Sequence, residues 1–282
     1  SVRPGIGGSN NQDGNVTLAA ALNYEGVGDG KTLTLRARND LTLNGGIADS
    51  DTGSPEALNL VLIADNDNIN GLTGVLDING AIDTSGGSFT ARGNTFDNTS
   101  APITAGAVSV TGTDSLAIAD TISGTTVAFT SGGAFDVNAV ITGTTSVNMT
   151  SAGDTTISAD VTGGSVAIAS SSVTTVAAPV SGTTVTISGG TVNLASTVSG
   201  STSISLTSSG EMTISADLTG ADLSINSAGL TTTAPITASG LLTLNNSGEM
   251  SLGAPISAGT LDLGSSTLEL SAELSVSGAL GD

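Results

Sequence analysis

Apolar and polar residues alternate with a period of two through most of this chain, and the alternation breaks at regular intervals. Met212, Ile214, Ala216 and Leu218 alternate with Thr213, Ser215 and Asp217, the period of a strand with one buried face. The same order recurs at Phe135/Val137/Ala139/Ile141, Leu230/Thr232/Ala234/Ile236 and Leu268/Leu270/Ala272/Leu274. A small residue stands at the third inward position, which marks a corner where a larger side chain would meet the opposite wall. Proline at the next outward position (Pro102, Pro179, Pro235, Pro255) agrees, since proline belongs at bends rather than in a continuous ladder.

From residue 101 onward the pattern is a repeat, Φ-x-Φ-x-Ala-x-Φ-[Ser/Thr]-Gly followed by a second Φ-x-Φ and a further turn. Its anchor falls at Ile103, Ile122, Ile141, Val161, Val180, Val198, Leu218, Ile236, Ile256 and Leu274, in steps of 18 to 20 residues. A unit this short cannot bury its own apolar face, so it is one coil of a stacked solenoid. The second pair supplies another wall, for example Val127/Phe129, Val166/Ile168, Ile204/Leu206 and Leu242/Leu244, with Gly124, Gly143, Gly163, Gly182, Gly200 and Gly220 at the turn before it. Three short strands per coil predict an all-β fold, a parallel, right-handed, triangular β-helix (β-solenoid) with rungs about 4.8 Å apart.

The first hundred residues carry the same signature with insertions. Val16/Leu18/Ala20/Leu22, Leu41/Leu43/Gly45/Ile47 and Leu76/Ile78/Gly80/Ile82 fit the corner pattern, and Leu33/Leu35 and Leu58/Leu60/Leu62 supply further walls. The expected organisation is one continuous solenoid. Residues 1–100 form irregular coils with loop insertions at 48–57 and 65–74, and residues 101–282 form regular coils. The anchors predict about 13 coils of roughly 19 residues, or a rod on the order of 60 Å long.

Charge narrows the functional classes. The net charge is −20, and the five basic residues, Arg3, Lys31, Arg36, Arg38 and Arg92, lie in the first third. Such a surface has no electrostatic grip on nucleic acid or anionic lipid, so neither nucleic-acid binding nor membrane insertion is expected. Cysteine and histidine are both absent, which removes disulfides, thiolate nucleophiles, imidazole bases and ordinary zinc or copper sites. No apolar run approaches the length of a membrane-spanning helix.

The segments Leu33-Thr34-Leu35-Arg36-Ala37-Arg38-Asn39-Asp40-Leu41-Thr42-Leu43-Asn44-Gly45-Gly46-Ile47 and Gly74-Val75-Leu76-Asp77-Ile78-Asn79-Gly80-Ala81-Ile82-Asp83-Thr84-Ser85-Gly86-Gly87 resemble recurring phrases of the filamentous-haemagglutinin-like exoproteins. These are fibrous proteins of Gram-negative bacteria secreted by the two-partner route. The family's amino-terminal secretion domain, with its Asn-Pro-Asn-type signatures, is not visible here. The resemblance implies a secreted protein of the bacterial surface or extracellular matrix, used in adhesion, aggregation or matrix building, of which this chain is shaft rather than head.

Three kinds of site follow from the residues. The position after each anchor is a hydroxyl in all ten regular coils: Thr104, Ser123, Thr142, Thr162, Ser181, Ser199, Thr219, Thr237, Ser257 and Ser275. Stacked, they form a surface hydroxyl ladder; small side chains that bond to nearby backbone suit a position before a turn, and a hydroxyl array for glycan or ice is the sharper alternative. The acidic insertion contains Asp65, Asp67, Asn68 and Asn70, with Asp77 beyond, oxygen ligands of the kind Ca²⁺ takes. No other cofactor is indicated. The outward acids Asp136, Asp160, Asp217, Asp262, Glu269 and Glu273 are scattered; Asp160 and Asp217 share a register position three coils apart, roughly 14 Å, too far for a catalytic carboxylate pair. Asp120 occupies the inward small-residue slot, where bonding to backbone is expected.

The expectation is therefore a structural extracellular protein without catalysis, either an adhesin shaft or a fibre-forming subunit. Its partners are flanking parts of a longer exoprotein or further copies stacked end to end, since Leu274–Asp282 begins another coil without a polar cap. A glycan- or calcium-binding surface module is the alternative, and a polysaccharide-active β-helix enzyme the third.

Overall fold

The computed structural model describes residues 14–264 except 52, 54 and 66–73, the backbone of the strand Thr267–Leu270, and residues 273–278. Within these residues the chain is all-β, with 29 strands and no helix. The strands pair in parallel and stack as a β-solenoid of about 10 turns, where the anchors predict about 13. Coils anchored by Leu22, Ile47 and Ile82 have anchor strands only two residues long, and longer connections interrupt them. The chain divides into two compact units, Ser1–Thr144 and Thr145–Asp282.

In the first unit one wall is Val16–Leu18, Leu41–Leu43, Val75–Ile78 and Thr95–Asp97. A second is Lys31–Arg36, Leu58–Ile63, Ser88–Gly93 and Ile103–Gly112. The short strands Leu22–Asn23, Ile47–Ala48 and Ile82–Asp83 make the third wall, which joins the second at Ile103. Leu41, Leu43, Ile47, Leu60, Leu62, Leu76 and Ile78 are fully buried between them, each contributing about 1.5–3 kcal/mol of transfer free energy. Phe129 and Phe135 pack ring against ring at 5.4 Å. The described residues between the strands Ile47–Ala48 and Leu58–Ile63 form no strand. Tyr24 is buried beside the same corner and donates its phenol to the Asp83 carbonyl at 3.0 Å, with the Ser85 hydroxyl 3.2 Å from the phenol oxygen.

In the second unit one wall runs from Thr155–Ile157 through Val173–Val176, Thr191–Leu194, Glu211–Ile214, Gly229–Thr232 and Glu249–Leu252 to Thr267–Leu270. The rest of each coil is a single long strand: Val161–Ser170, Val180–Gly189, Val198–Ser208, Leu218–Ser227, Ile236–Asn246, Ile256–Leu263. Two strands per regular coil thus replace the three expected from sequence. The chain turns inside the long strand, where the register shifts at Gly182/Thr184, Gly200/Ser203, Gly220/Leu223 and Ala238/Leu241. A bulge bends a ladder without ending it, so the glycines at this corner mark a bend and not a strand boundary.

The other corner is built from buried polar side chains. At Ser131, Ser151, Ser208 and Asn246, the inward position after the second Φ-x-Φ pair, the side chain donates to a main-chain carbonyl at the coming turn; Gly112 and Gly189 hold this position in two other coils. In the first unit Ser131 bonds to Ala134 at 2.7 Å. In the second, Ser151 bonds to Gly153 at 2.6 Å, Ser208 to Glu211 at 3.0 Å and Asn246 to Glu249 at 2.7 Å. These bonds satisfy carbonyls that the ladder cannot reach as it turns. The opposite bend uses alanine: Ala101, Ala178, Ala234 and Ala254 are buried next to the exposed Pro102, Pro179, Pro235 and Pro255. Asp120, in the same slot as these alanines, accepts from the Thr121 N–H at 2.6 Å.

Candidate functional site

The hydroxyls after the anchors stand in register. In the first unit Thr104 faces Ser123 one coil on, with their oxygens 3.3 Å apart, and Thr142 is the second residue of the strand Ile141–Ser151. In the second unit Thr162, Ser181, Ser199, Thr219, Thr237, Ser257 and Ser275 form one unbroken column. Thr162 and Ser181 lie within hydrogen-bonding distance at 3.2 Å. Beside this column the bulged corner leaves a shallow groove of about 400 Å³, lined by Ser181, Ser199, Thr219 and Thr237 and floored by Gly182, Gly200 and Gly220. Two of the glycines are required by packing: a Cβ on Gly182 would sit 2.7 Å from the Gly163 carbonyl oxygen, and one on Gly200 2.6 Å from the Ser203 carbonyl oxygen. The groove offers hydroxyl donors and acceptors and no titratable side chain among its lining.

Of the calcium candidates, Asp67, Asn68 and Asn70 lie outside the described residues. Asp65 is buried, holds a left-handed backbone at φ 52° and leaves its Oδ1 without a hydrogen-bond partner. It packs against Gly74, whose hypothetical Cβ would be 2.7 Å from the Asp65 Cβ. Asp77 lies three residues further along an extended strand, about 10 Å away, and accepts from the Asn79 amide at 3.0 Å. The fold therefore does not bring Asp77 to Asp65. Among the described residues no group of three or more acidic side chains is spaced to hold a metal ion.

Two carboxylate arrangements escape a reading by sequence spacing. Asp77 and Asp97 face each other on consecutive rungs. Glu211, Gly229 and Glu249 occupy one outward column on three successive rungs, and the missing side chain of Gly229 leaves a notch of about 210 Å³ between the glutamates. The signal for this second pair was the position before the first inward residue of each coil, which holds Glu before Met212 and before Met250. Asp160 and Asp217 are three rungs apart, as their spacing predicts.

Comparison with protein-family models, curated proteins and solved structures returns no match.

Two ionisable groups are shifted by their surroundings. Burial raises the Tyr24 phenol above its ordinary value, with the Asp83 and Asp49 carboxylates adding to the effect. Hydrogen bonds from the Ser172 side chain and the Val173 N–H hold Asp154 below the usual aspartate value. Asn98, in one of the sequence's Asn-x-Ser/Thr motifs, is fully buried and bonded to the main chain, which closes that motif to glycosylation.

Proposed function

We propose that the chain is a structural element of the bacterial exterior, the shaft of a fibrous adhesin or a fibre-forming subunit, working by length and durability rather than by catalysis. One observation carries this reading. From Val161 to Leu274 the anchors of successive coils stay in continuous parallel register, and four successive coil pairs shift register at the same corner. Such a body lengthens by adding identical units, each stabilised by its neighbours. The phrases at Leu33–Ile47 and Gly74–Gly87 support placing it among filamentous-haemagglutinin-like exoproteins, and that resemblance is the basis for a secreted or cell-surface location.

The reading is tested by applying the intact chain to a glycan array and a panel of polysaccharides, and by deleting one whole coil, residues 180–197. A shaft retains no glycan, releases no sugar and keeps a single cooperative thermal transition after the deletion. Specific glycan capture, polysaccharide cleavage or collapse of the shortened chain would overturn it.

Calcium binding is a second reading, favoured by the partnerless buried oxygen of Asp65. A buried carboxylate oxygen without a donor is costly, and a cation would satisfy it. If calcium changes neither the melting temperature nor the hydrogen-exchange protection of residues 49–77, this reading is wrong.

A further inference from the structure

In a chain with 25 acidic and five basic residues, arginines have no shortage of partners. Arg36 and Arg92 are nevertheless exposed, and neither makes an ion pair with a described residue. They stand on one outward face of the first unit, two rungs apart, with Ile63 on the rung between: Arg36 pairs in register with Ile63, and Ile63 with Arg92. On the second unit Glu211 and Glu249 are also exposed and two rungs apart, with Gly229 between them. Both separations are set by the same ladder spacing, so each is about 9.6 Å between backbones.

The two patches are complementary in charge, in spacing and in relief. Where the arginines flank an outward isoleucine, the glutamates flank a glycine, and the notch over Gly229 has a volume of about 210 Å³. We propose that the Arg36–Ile63–Arg92 face of one copy docks on the Glu211–Gly229–Glu249 face of a second copy, a side-to-side contact between chains. Each guanidinium meets a carboxylate with fork geometry, and Ile63 enters the notch. Because the faces differ, the contact is heterologous, and it either closes into a ring or pair or extends into a chain. Exposed ion pairs are individually weak and salt-screened, so the association is reversible and strongest at low ionic strength. The contact does not rest on the shaft reading: a shaft that never self-associates keeps that function and loses this interface.

Sedimentation velocity of the full chain over a concentration series, at low and high salt, is the test. The unmodified protein should form dimers or longer species at low salt and dissociate as salt rises. R36E/R92E and E211R/E249R should each weaken association by roughly tenfold or more, and the four changes combined in one chain should restore it. R36Q/R92Q and Gly229→Leu, which neutralise the arginines and fill the notch, serve as milder variants, with circular dichroism confirming the fold. A protein monomeric throughout, association indifferent to salt and to both reversals, or a fourfold variant no better than either double would overturn the proposal.

Discussion

Asn98 donates its side-chain amide to the main-chain carbonyl of Asp120 at 3.0 Å, and its Oδ1 accepts from the Ala119 N–H at 2.9 Å. One fully buried side chain thus ties the end of one coil to the bend of the next. Replacing it with alanine strands a part-buried donor and a part-buried acceptor, each costing on the order of 1 kcal/mol. Asn98→Ala is expected to destabilise the fold by about 2 kcal/mol, visible as a lower urea midpoint with an unchanged slope.

The inward and outward hydroxyls should behave oppositely. Ser208 bonds to the carbonyls of Glu211 and Gly190, both at 3.0 Å, from a buried position, whereas Thr219 is exposed on the outer column. Ser208→Ala is expected to cost about 1–2 kcal/mol and Thr219→Ala to stay within about 0.5 kcal/mol of wild type. Paired urea titrations decide it, and a larger loss at Thr219 would assign the outer column a structural role it does not have in this packing.

This contrast also shows what was legible in the sequence. Aliphatic positions such as Ile214, Leu218 and Leu244 were readable because burial of one face imposes a period of two. The outer hydroxyls were readable because one coil length preserves their column. The inward role of Ser131, Ser151 and Ser208 was hidden, since serine beside glycine reads equally well as a solvated turn. Continuity of the long strands was hidden for a related reason: Gly182 and Gly200 mark a bend, and composition does not distinguish a bulge that keeps the ladder from a loop that ends it. Glu211 and Glu249 become a pair only when Gly229 is seen on the rung between them.

Two glycines separate packing from conformation. A Cβ on Gly132 would run into the Thr113 carbonyl of the preceding coil, while one on Gly229 meets nothing closer than the Glu211 Cγ at 3.5 Å. Backbone cannot swing aside as a side chain can, so Gly132→Ala must push two rungs apart, at about 1–3 kcal/mol. Gly229→Ala should be neutral or slightly stabilising, because alanine loses less backbone entropy on folding. Thermal melts of the two variants give the comparison, and equal melting temperatures would contradict the packing described at Gly132.

Acid should loosen the second unit through Asp154. Bonds from Ser172 and from the Val173 N–H, the latter 3.1 Å long, favour its carboxylate, so the folded chain binds this proton less tightly than the unfolded chain. The unfolded state therefore takes up the proton first as pH falls. The contribution of Asp154 is complete above the ordinary aspartate value of 3.8 and fades as pH drops through the lowered folded value. Asp154→Asn should melt below wild type at neutral pH, and the gap should close toward pH 2. Tyr24 has the opposite sign. Its raised phenol, buried against the Asp83 carbonyl, stays protonated in the folded chain after the unfolded chain has begun to ionise, so stability is full below the ordinary value of 10.0 and is lost above it. Melting curves of wild type and Tyr24→Phe across pH 8–11 should converge at the alkaline end, and parallel curves throughout would show that Tyr24 is not held in its buried, hydrogen-bonded position.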